Sequence, residues 1–92
     1  MWYGGGTMSK IELYLPRRHN YQIEADRTYF VTGESLPTYH IHGKQAYLTV
    51  VMLDDAPYEI EGATYDHSQQ CSFATMREAL AWLRKQERLA TK

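Results

Sequence analysis

Ninety-two residues give room for one thin-cored domain, since independent cores take about 50 to 200 residues. A composition of 43% hydrophobic and 23% charged residues matches an ordinary soluble globule, and a net charge of −1 exerts no general pull on nucleic acid or anionic lipid. Cys71 is the only cysteine, which excludes an intrachain disulfide. No apolar run approaches the ~18 residues of a membrane span, so a cytoplasmic protein with no membrane contact is expected.

Residues 1–7 hold three consecutive glycines and lack the basic and apolar regions of a secretory signal. They read as a flexible leader or a cloning scar ahead of a single α+β domain over residues 8–92. Ile11, Leu13 and Leu15 alternate with Glu12 and Tyr14, the period of a half-buried strand, and Pro16 ends it. Tyr21, Ile23 and Ala25 alternate in the same way, so the two segments predict a first hairpin with the basic turn Arg17-Arg18 exposed. Thr28 to Val31 either extends the second strand past a bulge or forms a separate one, ended by Gly33 and Pro37.

Thr38 to His42 and Gln45 to Leu53 flank Gly43-Lys44, a loop that suits a type II′ turn and predicts a second hairpin. Its return strand is apolar on both faces and belongs in the middle of the sheet. Asp54 to Pro57 turns the chain, Tyr58 to Glu61 forms a last strand with Gly62 at a bulge, and Tyr65 to Ser72 is a polar connection. Thr75 then caps a helix with Glu78 three residues on, and Met76, Ala79, Leu80, Leu83 and Ala90 share one side, with Phe73 near the same line. The expected architecture is an antiparallel meander of four to six strands with one C-terminal amphipathic helix packed on one face.

Few residues carry chemistry by their spacing. His40 and His42 share a strand face, and with His67 and Cys71 they make up four zinc-type ligands, but only the first pair has rigid spacing, so no metal or other cofactor is expected. Cys71 with His67 lacks the third group and the oxyanion donors that a catalytic thiol needs, so it reads as a packing residue. Glu59 and Glu61 form the polar side of a strand and match no calcium-loop spacing.

Charge layout and aromatics point to recognition instead. Residues 54–72 hold five acidic and no basic residues, whereas residues 73–92 hold five basic and two acidic ones. Arg77, Arg84 and Arg88 share a flank of the helix, and Trp82 lies on the opposite flank, where it either closes the sheet edge or joins an exposed patch. Tyr14 and Tyr47 are strand tyrosines of the kind that serve as hot spots. With Arg77, Trp82, Arg84 and Arg88 they make up the candidate partner-binding set.

The expected function is a small non-catalytic protein–protein interaction module. In size and strand-then-helix order the chain resembles small accessory proteins of phages and other mobile elements, including anti-CRISPR proteins. That resemblance implies an inhibitor that blocks a host nuclease complex by contact. One alternative is a nucleic-acid-binding domain that uses Arg17, Arg18, Lys44, the helix ridge and stacking tyrosines. A second is a small metal- or ligand-binding dimer with His40 and His42 in its site. A homodimer through an edge strand fits every reading.

Overall fold

Five antiparallel strands follow one another across a single sheet without a crossover, in the order β1-β2-β3-β4-β5. The computed structural model describes residues 10–90, with the backbone alone for Ala90, and the expected leader of residues 1–7 lies outside that range. The strands are β1 (Gln22–Tyr29), β2 (Ser35–His42), β3 (Ala46–Leu53), β4 (Ala56–Thr64) and β5 (Gln70–Phe73), and α1 (Met76–Ala90) closes the chain. The helix lies over β3, β4 and β5, which makes the α+β layout of meander plus one helix.

The first predicted strand is instead a 3₁₀ turn over Lys10–Tyr14. Ile11 and Leu15 are buried while Leu13 is 75% exposed, which breaks the alternation that a half-buried strand requires. The turn is fastened to the β3–β4 connection, where the Tyr14 hydroxyl donates to the Asp55 carbonyl at 2.8 Å and Lys10 pairs with the Asp55 carboxylate. The expected first hairpin is therefore absent, and β1 pairs with β2.

β1 runs unbroken from Gln22 to Tyr29, without the bulge or break considered before Thr28. It turns into β2 through Val31-Thr32-Gly33, with Phe30 N–H bonded to the Glu34 carbonyl and Gly33 N–H to the Phe30 carbonyl, both at 2.9 Å. Gly33 at φ 92° supplies the left-handed residue that a three-residue hairpin loop requires. β2 and β3 join one residue later than expected. Gly43 pairs with Ala46, its φ is not positive, and the loop residues are Lys44 and Gln45, so the turn is not type II′.

β3 is central, as its two-sided apolar pattern requires, and Ala46, Leu48, Val50 and Met52 point into the helix layer. The irregularity between β3 and β4 falls at Val51/Met52 and not at Gly62. Gln70 to Ser72, expected within a polar connection, instead form β5 together with Phe73 on the free edge of β4. Thr75 caps the helix through a 3.2 Å bond from the Glu78 N–H to its Oγ1. Met76, Ala79, Leu80 and Leu83 are buried with Ile11, Ile41 and Ile60 in one core. Leu83, at 0% exposure, is the deepest of the helix anchors with Ala79.

Trp82 resolves towards closure of the sheet edge. It packs on the core beside Phe73, with ring centroids 5.6 Å apart, and lies over Gly62. Its Nε1–H donates to Gln69 Oε1 at 3.4 Å, an acceptor shared with Nε2–H of the buried Gln86. Among the described residues no helix is long and apolar enough to cross a membrane.

Candidate binding surfaces

Register decides which side chains meet on the sheet face away from the helix. Ile41 opposes Leu48 and Val50 opposes Ile60, all buried under the helix, so the alternate residues face outward. Those include Glu24, Asp26 and Thr28 on β1, Thr38, His40 and His42 on β2, Tyr47 and Thr49 on β3, and Glu59 and Glu61 on β4. None of these strand positions carries Lys or Arg, whereas Arg77, Arg84, Lys85 and Arg88 stand exposed on the helix layer. The dipolar sequence thus becomes two oppositely charged layers.

His40 Nε2–H donates to Asp26 Oδ2 at 3.0 Å, and its Nδ1 lies 3.1 Å from Thr49 Oγ1. His42 Nε2–H donates to Glu24 Oε1 at 2.9 Å, and its Nδ1 lies 2.7 Å from the Tyr65 hydroxyl. An ionised carboxylate only accepts, which places the imidazole proton on Nε2 in both rings. The His40 hydrogen bond, followed by that from the Arg27 N–H, holds the Asp26 carboxyl below its usual range. Tyr47 and Tyr65 complete the patch, with centroids 5.3 Å apart and the Tyr65 ring nearly parallel to His42.

These bonds bear on the zinc reading. Both nitrogens of each imidazole are engaged, and Cys71 opposes Gly62 on the helix side of the sheet, across from the histidines. His67 stands in the β4–β5 turn at φ 63°. The four do not converge, and among the described residues no group of three or more His, Cys, Asp or Glu side chains is placed to hold a metal. In the same turn the Ser68 hydroxyl, then its N–H and the Thr64 hydroxyl, hold the Asp66 carboxyl at about 2.

Two concave regions occupy opposite ends of the sheet. At the β1–β2 loop end, a groove of about 570 Å³ is lined by Tyr29, Phe30, Val31, Leu36, Leu53 and Tyr58, with Glu34 on its rim. Tyr29 is 75% exposed, Tyr58 55%, and Val31 is fully exposed. At the β2–β3 turn end, a cleft of about 620 Å³ is walled by Arg18, His19, Tyr21, Lys44, Arg84 and Glu87.

The six predicted partner-binding residues are scattered by the fold. Tyr14 is spent on the β3–β4 turn, Tyr47 lies on the outer sheet face, and Trp82 finishes the core. Arg77, Arg84 and Arg88 remain exposed on the helix, with Arg84 also entering the cleft. The groove residues Tyr29, Val31 and Leu53 were missed. A signal existed in the apolar run Tyr29-Phe30-Val31 ahead of Gly33, too long for the edge strand that it ends. Comparison with protein-family models, with curated proteins and with solved structures returns no match for this chain.

Proposed function

We propose that the chain is a non-catalytic protein-binding module that contacts its partner through the apolar groove at the β1–β2 loop end. The observation that carries this reading is the gathering of Tyr29, Val31, Leu53 and Tyr58, four large exposed side chains, around one groove. Large apolar side chains left open together mark interaction sites, and tyrosines are favoured anchors in them. Glu34 lines the groove, and Asp54 follows Leu53 and Glu59 follows Tyr58 in the chain, which gives its border an acidic character. The fitting partner is a protein with an apolar patch ringed by Lys or Arg, which acidic flanks also steer into place.

The internal engagement of the histidines supports a non-catalytic role, since a substrate would have to displace an existing bond to reach either ring. A contact surface on so small a domain suits an inhibitor or accessory protein of a mobile element working in the cytoplasm, as the resemblance in size and element order implies. The test is capture of a partner by the wild-type protein, by Val31→Asp with Tyr58→Ser, and by Arg84→Glu with Arg88→Glu. Loss of the partner with the groove variant alone supports the reading. Loss with the helix variant alone moves the interface to the basic ridge, and a wild-type dimer dissolved by the groove variant makes a second copy of the chain the occupant.

A further inference from the structure

The cleft at the β2–β3 turn end is built by three separate parts of the chain. Ile11 and Leu15 anchor the 3₁₀ turn in the core, so Pro16 to Tyr21 passes across the end of the sheet and carries Arg18 to the wall of the cleft. Glu87 Oε2 accepts the N–H groups of Lys44 at 3.0 Å and Gln45 at 2.9 Å, which ties the β2–β3 turn to the helix. That tie sets Lys44 near Arg84, one turn of helix before Glu87.

The cleft wall therefore carries three cations against the single carboxylate of Glu87, whose Oε2 already serves two amides. None of the ion pairs found among the described residues uses Arg18, Lys44 or Arg84. His19 is held differently: its Nδ1 accepts the Tyr21 N–H at 3.2 Å, which leaves the ring proton on Nε2, 3.0 Å from Glu12 Oε1. It shapes the wall as a ring stacked on Tyr21, with centroids 5.6 Å apart and planes 18° apart. A flat aromatic surface thus stands beside a cationic pocket.

We propose that this cleft binds a small phosphate-bearing molecule, with Arg18, Lys44 and Arg84 on the phosphate and the Tyr21 side available to an attached planar group. Two arguments set the ligand's size. A volume of about 620 Å³ lies within the ~300–1,000 Å³ range of small-molecule sites. A polymer's backbone needs a continuous basic track, and Glu24 on the adjoining sheet face and Glu12 behind His19 interrupt one on the sheet side, while the ridge that continues from Arg84 along the helix makes an oligonucleotide a necessary arm of the test.

The test is an NMR titration of the whole chain with inorganic phosphate, adenosine monophosphate and a single-stranded oligonucleotide, with chloride at matched ionic strength as the control. Saturable shifts at Asn20 to Gln22 and Lys44 to Gln45 with phosphate and the mononucleotide, at least about tenfold weaker in Arg84→Gln and in Lys44→Gln, support the site. Tighter binding of the mononucleotide than of inorganic phosphate assigns the aromatic wall to the ligand's planar group. Shifts reproduced by chloride, shifts indifferent to both substitutions, or binding of the oligonucleotide alone overturn the proposal. Both variants change exposed side chains, and their spectra away from the cleft report that the fold is kept.

Discussion

Gly62→Ala tests the packing of the helix edge more sharply than any large-to-small change. A Cβ built at Gly62 meets Trp82 Cζ3 at 2.7 Å, 0.7 Å short of the 3.4 Å at which ordinary contact begins. It also meets Phe73 Cε2 and Trp82 Cε3 at 3.0 Å. Both neighbours are rings wedged against the core, so neither swings away as the end of a lysine would. Overpacking of this kind costs about 1–3 kcal/mol, against about 0.4–1 kcal/mol gained by restricting the unfolded chain. A net loss of about 1–2 kcal/mol is expected, or roughly 4–16 °C in Tm for a chain of this size.

The cause is separable by a double-mutant cycle with Trp82→Leu, read by urea unfolding followed by far-ultraviolet circular dichroism. Leucine does not reach the position of Cζ3 and leaves only the 3.0 Å approach to Phe73, so in that background most of the cost of Gly62→Ala should disappear, giving a coupling of about 1–2 kcal/mol. If glycine were needed instead for its backbone freedom, the cost would persist unchanged in the Trp82→Leu background. That result, or a Gly62→Ala variant as stable as wild type, refutes the close-approach argument.

Leu83→Ala should cost about 2–5 kcal/mol in urea unfolding, and no less than Leu80→Ala, because Leu83 is the more deeply buried of the two. Thr75→Ala should cost about 1 kcal/mol by the same measurement, through loss of the Oγ1 acceptor for the Glu78 N–H. Glu87→Ala should cost about 1 kcal/mol and move the Lys44 and Gln45 amide resonances most, since both lose their acceptor, and unmoved amides would count against the tie between helix and turn. Asp66 should titrate in the folded protein with a midpoint of about 2, and Ser68→Ala should raise it towards the ordinary carboxylate value. Because its folded value lies below its unfolded one, the stability it contributes is present above about pH 4 and is lost as pH falls towards 2.

The helix was legible because each of its signals is local. The Thr75 cap, the Glu78 N–H that it receives and the Met76-Ala79-Leu80-Leu83 stripe all lie within nine residues, and the structure uses each of them. The central place of β3 was legible for a similar reason, because two apolar faces need cover on both sides. Ile11 to Leu15 misled because apolar residues at alternate positions read as a half-buried strand, and only the exposure of Leu13 breaks that pattern. β5 was hidden because Gln70 and Ser72 face outward on an edge, leaving just Cys71 and Phe73 to signal an inner side.

The binding surfaces were less legible, since both depend on pairings between distant segments. Tyr29 and Val31 come together with Leu53 and Tyr58 only once β1–β2 and β3–β4 are in register at the same end of the sheet. Arg18, Lys44 and Arg84 are separated by at least 26 residues, and their meeting requires the 3₁₀ turn that the alternating pattern disguised. The helix ridge was found from periodicity, but periodicity does not say that Arg84 alone of its three arginines lines the cleft with Lys44.

The placement of these surfaces follows from how the middle of the molecule is used. One side of the sheet is committed to the helix, and the centre of the other is committed to itself, with His40 and His42 joined to Asp26 and Glu24 across the β1–β2 ladder. Those links brace β1, an edge strand that makes little use of the core, and they exhaust the groups best suited to chemistry on that face. What remains unspent lies at the strand ends, about 26 Å apart along an eight-residue strand at ~3.3 Å per residue. One end offers apolar surface with Glu34 in its lining, and the other three cations beside an aromatic ring. A partner protein at the groove and a small anion at the cleft therefore need not compete for the same residues, so Val31→Asp should leave phosphate binding at the cleft unchanged. A groove variant that lost both ligands while staying folded would show that the two ends are coupled through the sheet, and that the bracing between β1 and β2 transmits more than it insulates.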